Sequence, residues 1–429
     1  MNLSNDTELE VRFVTKDEQY AVPSVPVNVS AASTAEELDN IVKAFIAGHS
    51  EGDDLASTTL ADVEFDFLIG SKLLRSSLKE WFEAEKLSAE ATLEVEYFAK
   101  TKPPEPHNSF LHDDWVAAVD TVDNWILSGC YDGTVHIWNV ATGEHKITIP
   151  AHTAPVKAVK WTNSGKSKNG RGQYGLVTCS HDETAMVWTW DAKSNQIEHI
   201  FTFIGHSRSV DCASVKGDLV ATGSYDHMLK IWSLVDSDST QGEHSNAKNS
   251  KLRSPVITLE GHKEAITGCS WMPSEDASAI SNVTTVSLDN TIKLWDIEVG
   301  EVKQTLTSNK SFLSVSYSPT NSLLLTGSCD RHIRLWDSRQ STGGTQMKSV
   351  YSSHTGWVSS VAWSTADSNL FSSGSYDSSV KQWDIRSPSA PLYDMLGHQD
   401  KVLAVNWSNA KYMVSGGADN QIKVFSTKQ

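Results

Sequence analysis

The chain has 429 residues, of which 39% are hydrophobic, and a formal net charge of −17; that length and apolar content suffice for two or three packed domains and argue against disorder as the default. The opening MNLSNDTELEVRF carries neither a basic start nor an apolar run, and no segment approaches the roughly 18 apolar residues that span a bilayer, so secretion and membrane functions drop out. Residues 1–100 hold 8 basic against 20 acidic residues, a net of −12, and a field of that sign repels phosphate backbones and argues against non-specific nucleic-acid binding by this part.

In chain order, ELEVRFVT alternates as a strand and VPVNVS reads as a second strand with proline at its edges. STAEELDNIVKAFIAGH then places Leu38, Ile41, Val42, Phe45 and Ile46 at helical spacing, with Thr34 and Glu37 as a capping box and Gly48 as a stop. FDFLIGSKLLRSSLKEWFEAEKLSAEATLEVEYF continues with a strand, a turn at Gly70 and Ser71, a short helical piece around Leu78–Phe82 and a last strand. KTKPPEPHN, with three prolines, reads as a stiff extended spacer. The expected division is a first domain over 1–99, a linker over 100–107 and a repeat domain over 108–429.

Within the repeat domain one pattern recurs seven times, from SGCYDGTVHIW through TGSYDHMLKIW to SGGADNQIKVF. Asp132, Asp182, Asp226, Asp289, Asp330, Asp377 and Asp419 each stand six residues before an aromatic, at Trp138, Trp188, Trp232, Trp295, Trp336, Trp383 and Phe425. Four residues before each Asp is a hydroxyl, at Ser128, Thr178, Thr222, Thr285, Thr326, Ser373 and Ser415. A histidine precedes six copies, at His112, His152, His206, His262, His354 and His398, while the fifth copy has Ser308 in that register. A period of roughly 40–60 residues is that of propeller blades with insertions. Each Asp caps a tight turn, and alternating residues such as Val135 with Ile137 and Leu229 with Ile231 then form a strand. The pattern spreads the histidines and aspartates one set per blade, which points to structural hydrogen bonding and not to an intrinsic metal or catalytic centre. The sequence runs four residues past Phe425, so the last copy lacks an outer strand, and residues near Asn108–Leu111 are expected to supply it and close the ring.

Two insertions interrupt the repeats. Residues 163–175, NSGKSKNGRGQYG, contain Gly165-Lys166-Ser167, but the leading glycine of a phosphate loop would fall at Lys160 and the segment joins two strands, so nucleotide binding is rejected. Residues 236–254 are polar and read as a flexible insertion. The five cysteines, at 130, 179, 212, 269 and 329, form no CxxC pair and read as reduced thiols of the cytosol or nucleus.

The repeats resemble WD-repeat propellers, in which His, Ser/Thr, Asp and Trp form a buried hydrogen-bonded chain in each blade; the resemblance assigns that role to His152, Thr178, Asp182, Trp188, His206, Thr222, Asp226, Trp232, His262, Thr285, Asp289, Trp295, His354, Ser373, Asp377 and Trp383. A fifth blade without its histidine is then expected to be the least well tied. The order of elements before the repeats resembles a ubiquitin-like β-grasp, which here runs through Tyr97-Phe98-Ala99-Lys100 into the linker and so reads as a docking module and not a conjugated tag. The expected fold class is therefore mainly β, a seven-bladed propeller preceded by an α+β ubiquitin-like domain.

Together these parts resemble the eukaryotic ribosome-biogenesis WD-repeat proteins called Ytm in fungi, with FDFLI, LLRSSL, LSAEATLEVEY and NSFLHDDWV carrying the likeness most strongly. The resemblance implies a nucleolar and nucleoplasmic assembly factor on pre-60S particles. Its partners would be the block-of-proliferation protein, pescadillo and the AAA ATPase midasin. It also implies that Glu90, among the small residues Ser88, Ala89 and Ala91, completes a Mg²⁺ site supplied by midasin's adhesion domain; a hard divalent cation with one open position accepts such a carboxylate. No cofactor of the chain's own is implied. Notchless proteins share the first domain and look to have an extra repeat. No Ser-His-Asp or Cys-His arrangement departs from the repeat register, which leaves an enzyme without support. A propeller adaptor for ubiquitin or a phosphodegron would need a ring of arginines, and Arg331, Arg334, Arg339 and Arg386 are the main late ones.

Overall fold

A computed structural model of the chain describes residues 7–49, 63–70, 72–85, 92–162, 172–235, 251–272, 282–339 and 346–427. It divides into two units near residue 102, each built mainly of strands.

In the first unit, alternation in β1 (Glu8–Val14) turns Leu9, Val11 and Phe13 inward and leaves the residues between them exposed or half-buried. β2 (Pro26–Ser30) pairs antiparallel with β1. Helix α1 (Ala35–His49) lays Leu38 and Val42 on the same core, and its first turn is held by the Thr34 N–H donating to Glu37 Oε2 at 3.3 Å. The helix runs one residue past Gly48, so that glycine does not end it. β3 (Phe65–Ile69) turns at Gly70, whose φ of 64° is left-handed, toward the two-residue strand β4 (Lys72–Leu73), which the sequence did not suggest. Helix α2 (Leu78–Glu85) and β5 (Leu93–Ala99) complete the unit. The sheet order is β2-β1-β5-β3-β4 with β1 and β5 parallel. This is the ubiquitin-like β-grasp, with the helices supplying Leu38, Val42, Leu78 and Phe82 to the core. At its centre the Tyr97 hydroxyl donates to the Tyr20 carbonyl and accepts the Val22 N–H at 3.1 Å.

The second unit contains seven sheets. The first is typical: β7 (Val116–Val122), β8 (Trp125–Cys130), β9 (Thr134–Asn139) and β10 (His145–Pro150) form one antiparallel meander. The first strands of successive sheets lie side by side around the ring, and the strand Val402–Asn406 meets β7 to close it. Apolar clusters lie between neighbouring blades: Leu127, Val135 and Ile137 of the first pack on Val156, Val159 and Trp161 of the second. Closure uses β6 (Glu105–Leu111), which pairs antiparallel with the last strand, Gln421–Ser426, from Leu111 opposite Gln421 to Glu105 opposite Ser426.

Three boundaries differ from the sequence reading. β6 begins at Glu105, inside the expected linker, because the last strand offers a row of unpaired N–H and C=O groups there. A strand takes in Gln173–Ser180, so residues 173–175 of the expected first insertion belong to a blade. Leu252–Arg253, at the end of the expected second insertion, adds a fifth, parallel strand to the second sheet beside Thr202 and Phe203. No helix among the described residues is long and apolar enough to cross a membrane.

Candidate functional site

The chemistry-bearing residues of the described chain gather at the hydrogen-bonded corner of each blade. Glu90 lies outside the described residues, which resume at Thr92 and the strand Leu93–Ala99.

Each regular corner is built from two loops, carrying the histidine and the aspartate, and two strands, carrying the hydroxyl and the indole. In the second blade the Trp188 indole N–H donates to Thr178 Oγ1 at 3.2 Å, Thr178 lies 2.8 Å from His152 Nε2, and His152 Nδ1 lies 2.8 Å from Asp182 Oδ2. An indole nitrogen can only donate, so the hydroxyl keeps its proton for Nε2, and Nδ1–H is left to donate to the carboxylate. The third blade repeats this at 2.8 Å throughout for Trp232, Thr222, His206 and Asp226. In the fourth, Trp295 and His262 reach Thr285 at 2.7 Å and His262 reaches Asp289 at 2.9 Å. In the sixth, Trp383 and His354 meet Ser373 at 2.8 Å and His354 meets Asp377 at 2.9 Å. The seventh has Phe425 in the aromatic position and keeps His398 between Ser415 at 2.8 Å and Asp419 at 3.0 Å.

Each Asp also accepts backbone N–H groups from the loop carrying the histidine, such as Ser207 onto Asp226 at 3.1 Å, and from its own turn, such as Met228 onto Asp226 at 2.9 Å. Burial alone would raise these carboxyls, but the bonds from His152 and Thr184 hold Asp182 at about 2, and those from His206 hold Asp226 at about 2. Asp377 is likewise held well below the usual carboxylate range, by His354 and Ser379 against the effect of burial. The corner is a satisfied network that clamps two loops, and its hydroxyl, though placed beside a histidine as in a hydrolytic triad, is fully buried.

The fifth blade, expected to be the least well tied, lacks the histidine link and meets its aspartate from its own hairpin instead. Asp330 there pairs with the Arg334 guanidinium, Nη1 at 3.1 Å and Nη2 closer still, and Arg334 occupies a position on the following strand that faces the turn. The Trp336 N–H still reaches Thr326 at 2.9 Å. A guanidinium therefore replaces the missing imidazole as the donor to Asp330. The same pairing bears on the arginine ring: Arg334, Arg339 and Arg386 are each bound by a carboxylate of their own blade, at Asp330, Asp337 and Asp384.

The first blade departs in another way. His112 Nε2 lies 2.9 Å from Ser128 and accepts the Trp138 N–H at 3.2 Å, but Asp132 bonds Thr134 and no chain joins it to the histidine. Cys130 stands where five other blades place Ser180, Ser224, Ser287, Ser328 and Ser375. His136 stands where Lys230, Lys293, Arg334, Lys381 and Lys423 stand in five others. Aligning the copies beyond the four recurring residues would have singled out both.

Among known protein families, residues 9–82 match the NLE (NUC135) domain, and seven stretches between residues 105 and 426 match the WD domain, G-beta repeat. The chain is 44% identical to the ribosome biogenesis protein WDR12 homolog of Ixodes scapularis over 99% of its own length and all of the relative's. It is 42% identical to the homolog of Anopheles gambiae, over 99% of the chain and 96% of the relative, and 43% identical to that of Drosophila pseudoobscura pseudoobscura, over 100% and 98%. Similar end to end and in both of its parts, the chain belongs to the WDR12 (Ytm) family of ribosome biogenesis proteins.

Proposed function

We propose that the chain is a non-catalytic assembly factor of the large (60S) ribosomal subunit, needed for rRNA maturation and acting in the nucleolus and nucleoplasm. The observation that carries this reading is the likeness of both parts, in one alignment over 99% of the chain, to proteins named for ribosome biogenesis. The clamped, closed corners suit a rigid binding platform better than a reaction site.

In this reading the propeller holds the block-of-proliferation protein and, through it, pescadillo. The β-grasp domain offers Glu90 to the Mg²⁺ of midasin's adhesion site, and ATP-driven movement of midasin pulls the subcomplex from the pre-60S particle. The family resemblance supports these partners, and Glu90 falls in sequence between α2 and β5. The engagement of three of the four late arginines counts against a phosphopeptide adaptor.

The test is recovery of partners by the tagged full chain from nuclei. Large-subunit precursors and the block-of-proliferation protein are expected with wild type, and their absence would overturn the assembly role. Glu90→Ala, and Glu90→Asp by its shorter reach, should lose midasin while keeping the block-of-proliferation protein. Equal midasin recovery by Glu90→Ala removes the docking role from this carboxylate.

A further inference from the structure

The first blade holds a group of side chains that no other blade repeats. His112, Cys130 and His136 are all buried, at 6%, 0% and 9% exposure, and one potential ligand atom from each lies within 4.8 Å of the others. Where His152, His206, His262, His354 and His398 give Nδ1 to a turn aspartate at 2.8–3.0 Å, His112 Nδ1 is buried without a hydrogen-bond partner. The Phe110 backbone influences this ring without meeting hydrogen-bond geometry. Such an orphaned buried polar atom destabilises the fold unless something meets it.

We propose that this corner binds a borderline-soft transition-metal ion, Zn²⁺ in the first instance, through His112 Nδ1, the Cys130 thiolate and a ring nitrogen of His136. Imidazole and thiolate donors select such an ion over Mg²⁺ or Ca²⁺, and three protein ligands leave a fourth tetrahedral position for water. The surroundings fit. His136 Nδ1 is 3.1 Å from His145 Nε2 and 3.2 Å from Thr148 Oγ1, and Nε2 is 2.9 Å from Thr134 Oγ1, so the ion takes the place of one of these contacts while the others orient the ring. Ligation at His112 Nδ1 moves the ring proton to Nε2, where the Ser128 oxygen, 2.9 Å away, accepts it. The Trp138 N–H is then released to that same oxygen, the partner its counterparts use in the blades of Trp188, Trp232, Trp295 and Trp383. Asp132, joined through the Thr134 hydroxyl to His136, places a negative charge near the three ligands.

Thiolate ligation displaces the Cys130 proton, so each Zn²⁺ bound should release one proton to solvent.

The repeat itself supplies conservative test variants. Cys130→Ser installs the residue of five other blades, and His136→Lys the residue that four others carry. Full-length protein stripped with a chelator is titrated with Zn²⁺ against a competing chromogenic chelator, and with Co²⁺ to read thiolate-to-metal charge transfer. Wild type should take up one equivalent, and each variant, with unchanged near-ultraviolet dichroism, should bind about 100-fold more weakly or worse. The charge-transfer absorption should vanish in Cys130→Ser. Absence of stoichiometric binding by folded wild type overturns the proposal. So does a charge-transfer band retained in Cys130→Ser, which would place the ion at other thiols such as Cys212 and Cys269.

Discussion

In the second, third, fourth and sixth corners a single imidazole connects a group that can only donate, the indole N–H, with one that can only accept, the carboxylate, and it does so because a hydroxyl relays between them. The carboxyl of Asp182 is held at about 2 in the folded chain, against 3.8 for a free aspartate. A carboxyl lowered on folding adds stability above pH 3.8 and loses that contribution as pH falls toward about 2. Asp182→Asn should therefore be less stable than wild type at neutral pH, and the difference in urea midpoint should close between about pH 4 and pH 2. A gap that stays constant over that range would show that the ionised form contributes nothing. In the fifth blade, Arg334→Ala leaves the half-buried Asp330 without its cation and should lower propeller stability by about 1.5–3 kcal/mol, the worth of hydrogen bonds to a charged group. An unchanged melting temperature would contradict the substitution of guanidinium for imidazole.

At the scale of the element, the turn after each Asp decides how its strands meet. The next residue has positive φ in all seven blades: Gly133 at 85°, Glu183 at 69°, His227 at 70°, Asn290 at 65°, Arg331 at 71°, Ser378 at 64° and Asn420 at 61°. Six blades accept a side chain in this left-handed conformation because the Asp side chain bonds the N–H two residues on and holds the turn. Only in the first blade is it glycine, and there a Cβ would overlap the His152 carbonyl oxygen of the neighbouring blade. Gly133→Ala should thus lose more than the ~1–2 kcal/mol of left-handed strain alone, read as a lower midpoint for the propeller transition in thermal melts. A shift no larger than that of an exposed alanine substitution would mean the neighbouring loop yields freely.

At the scale of the molecule, the propeller is a ring whose ends must be joined. β6 adds the outer strand of the last blade, and Phe110 shares a cluster with Val116, Ile126, Val414 and Ile422. A buried carboxylate fastens the same seam: Asp120 accepts from Asn406 Nδ2 at 2.8 Å on one side and from the Trp161 N–H at 2.9 Å on the other. Removing residues 1–102 leaves β6 in place and should yield a monomeric propeller. Removing residues 1–111 exposes the edge of Gln421–Ser426 and should give a lower melting temperature and aggregation, measured by light scattering. Equal behaviour of the two truncations would mean that closure does not depend on that strand.

Read alone, the sequence determined the architecture, because seven copies of one spacing and a strand alternation visible in ELEVRFVT both follow from local periodicity. It also named the residues of the regular corners, since these recur at fixed offsets. Three things were decided only by tertiary structure. Arg334 takes the place of a histidine because it reaches Asp330 from a different strand, which no offset from the missing residue reveals. Asp120 and Asn406 meet although 286 positions separate them, because ring closure brings the ends together. And His112, Cys130 and His136 converge because one blade has exchanged a serine and a cation for two soft ligands, a difference that acquires chemical meaning only when three strands place them within 4.8 Å.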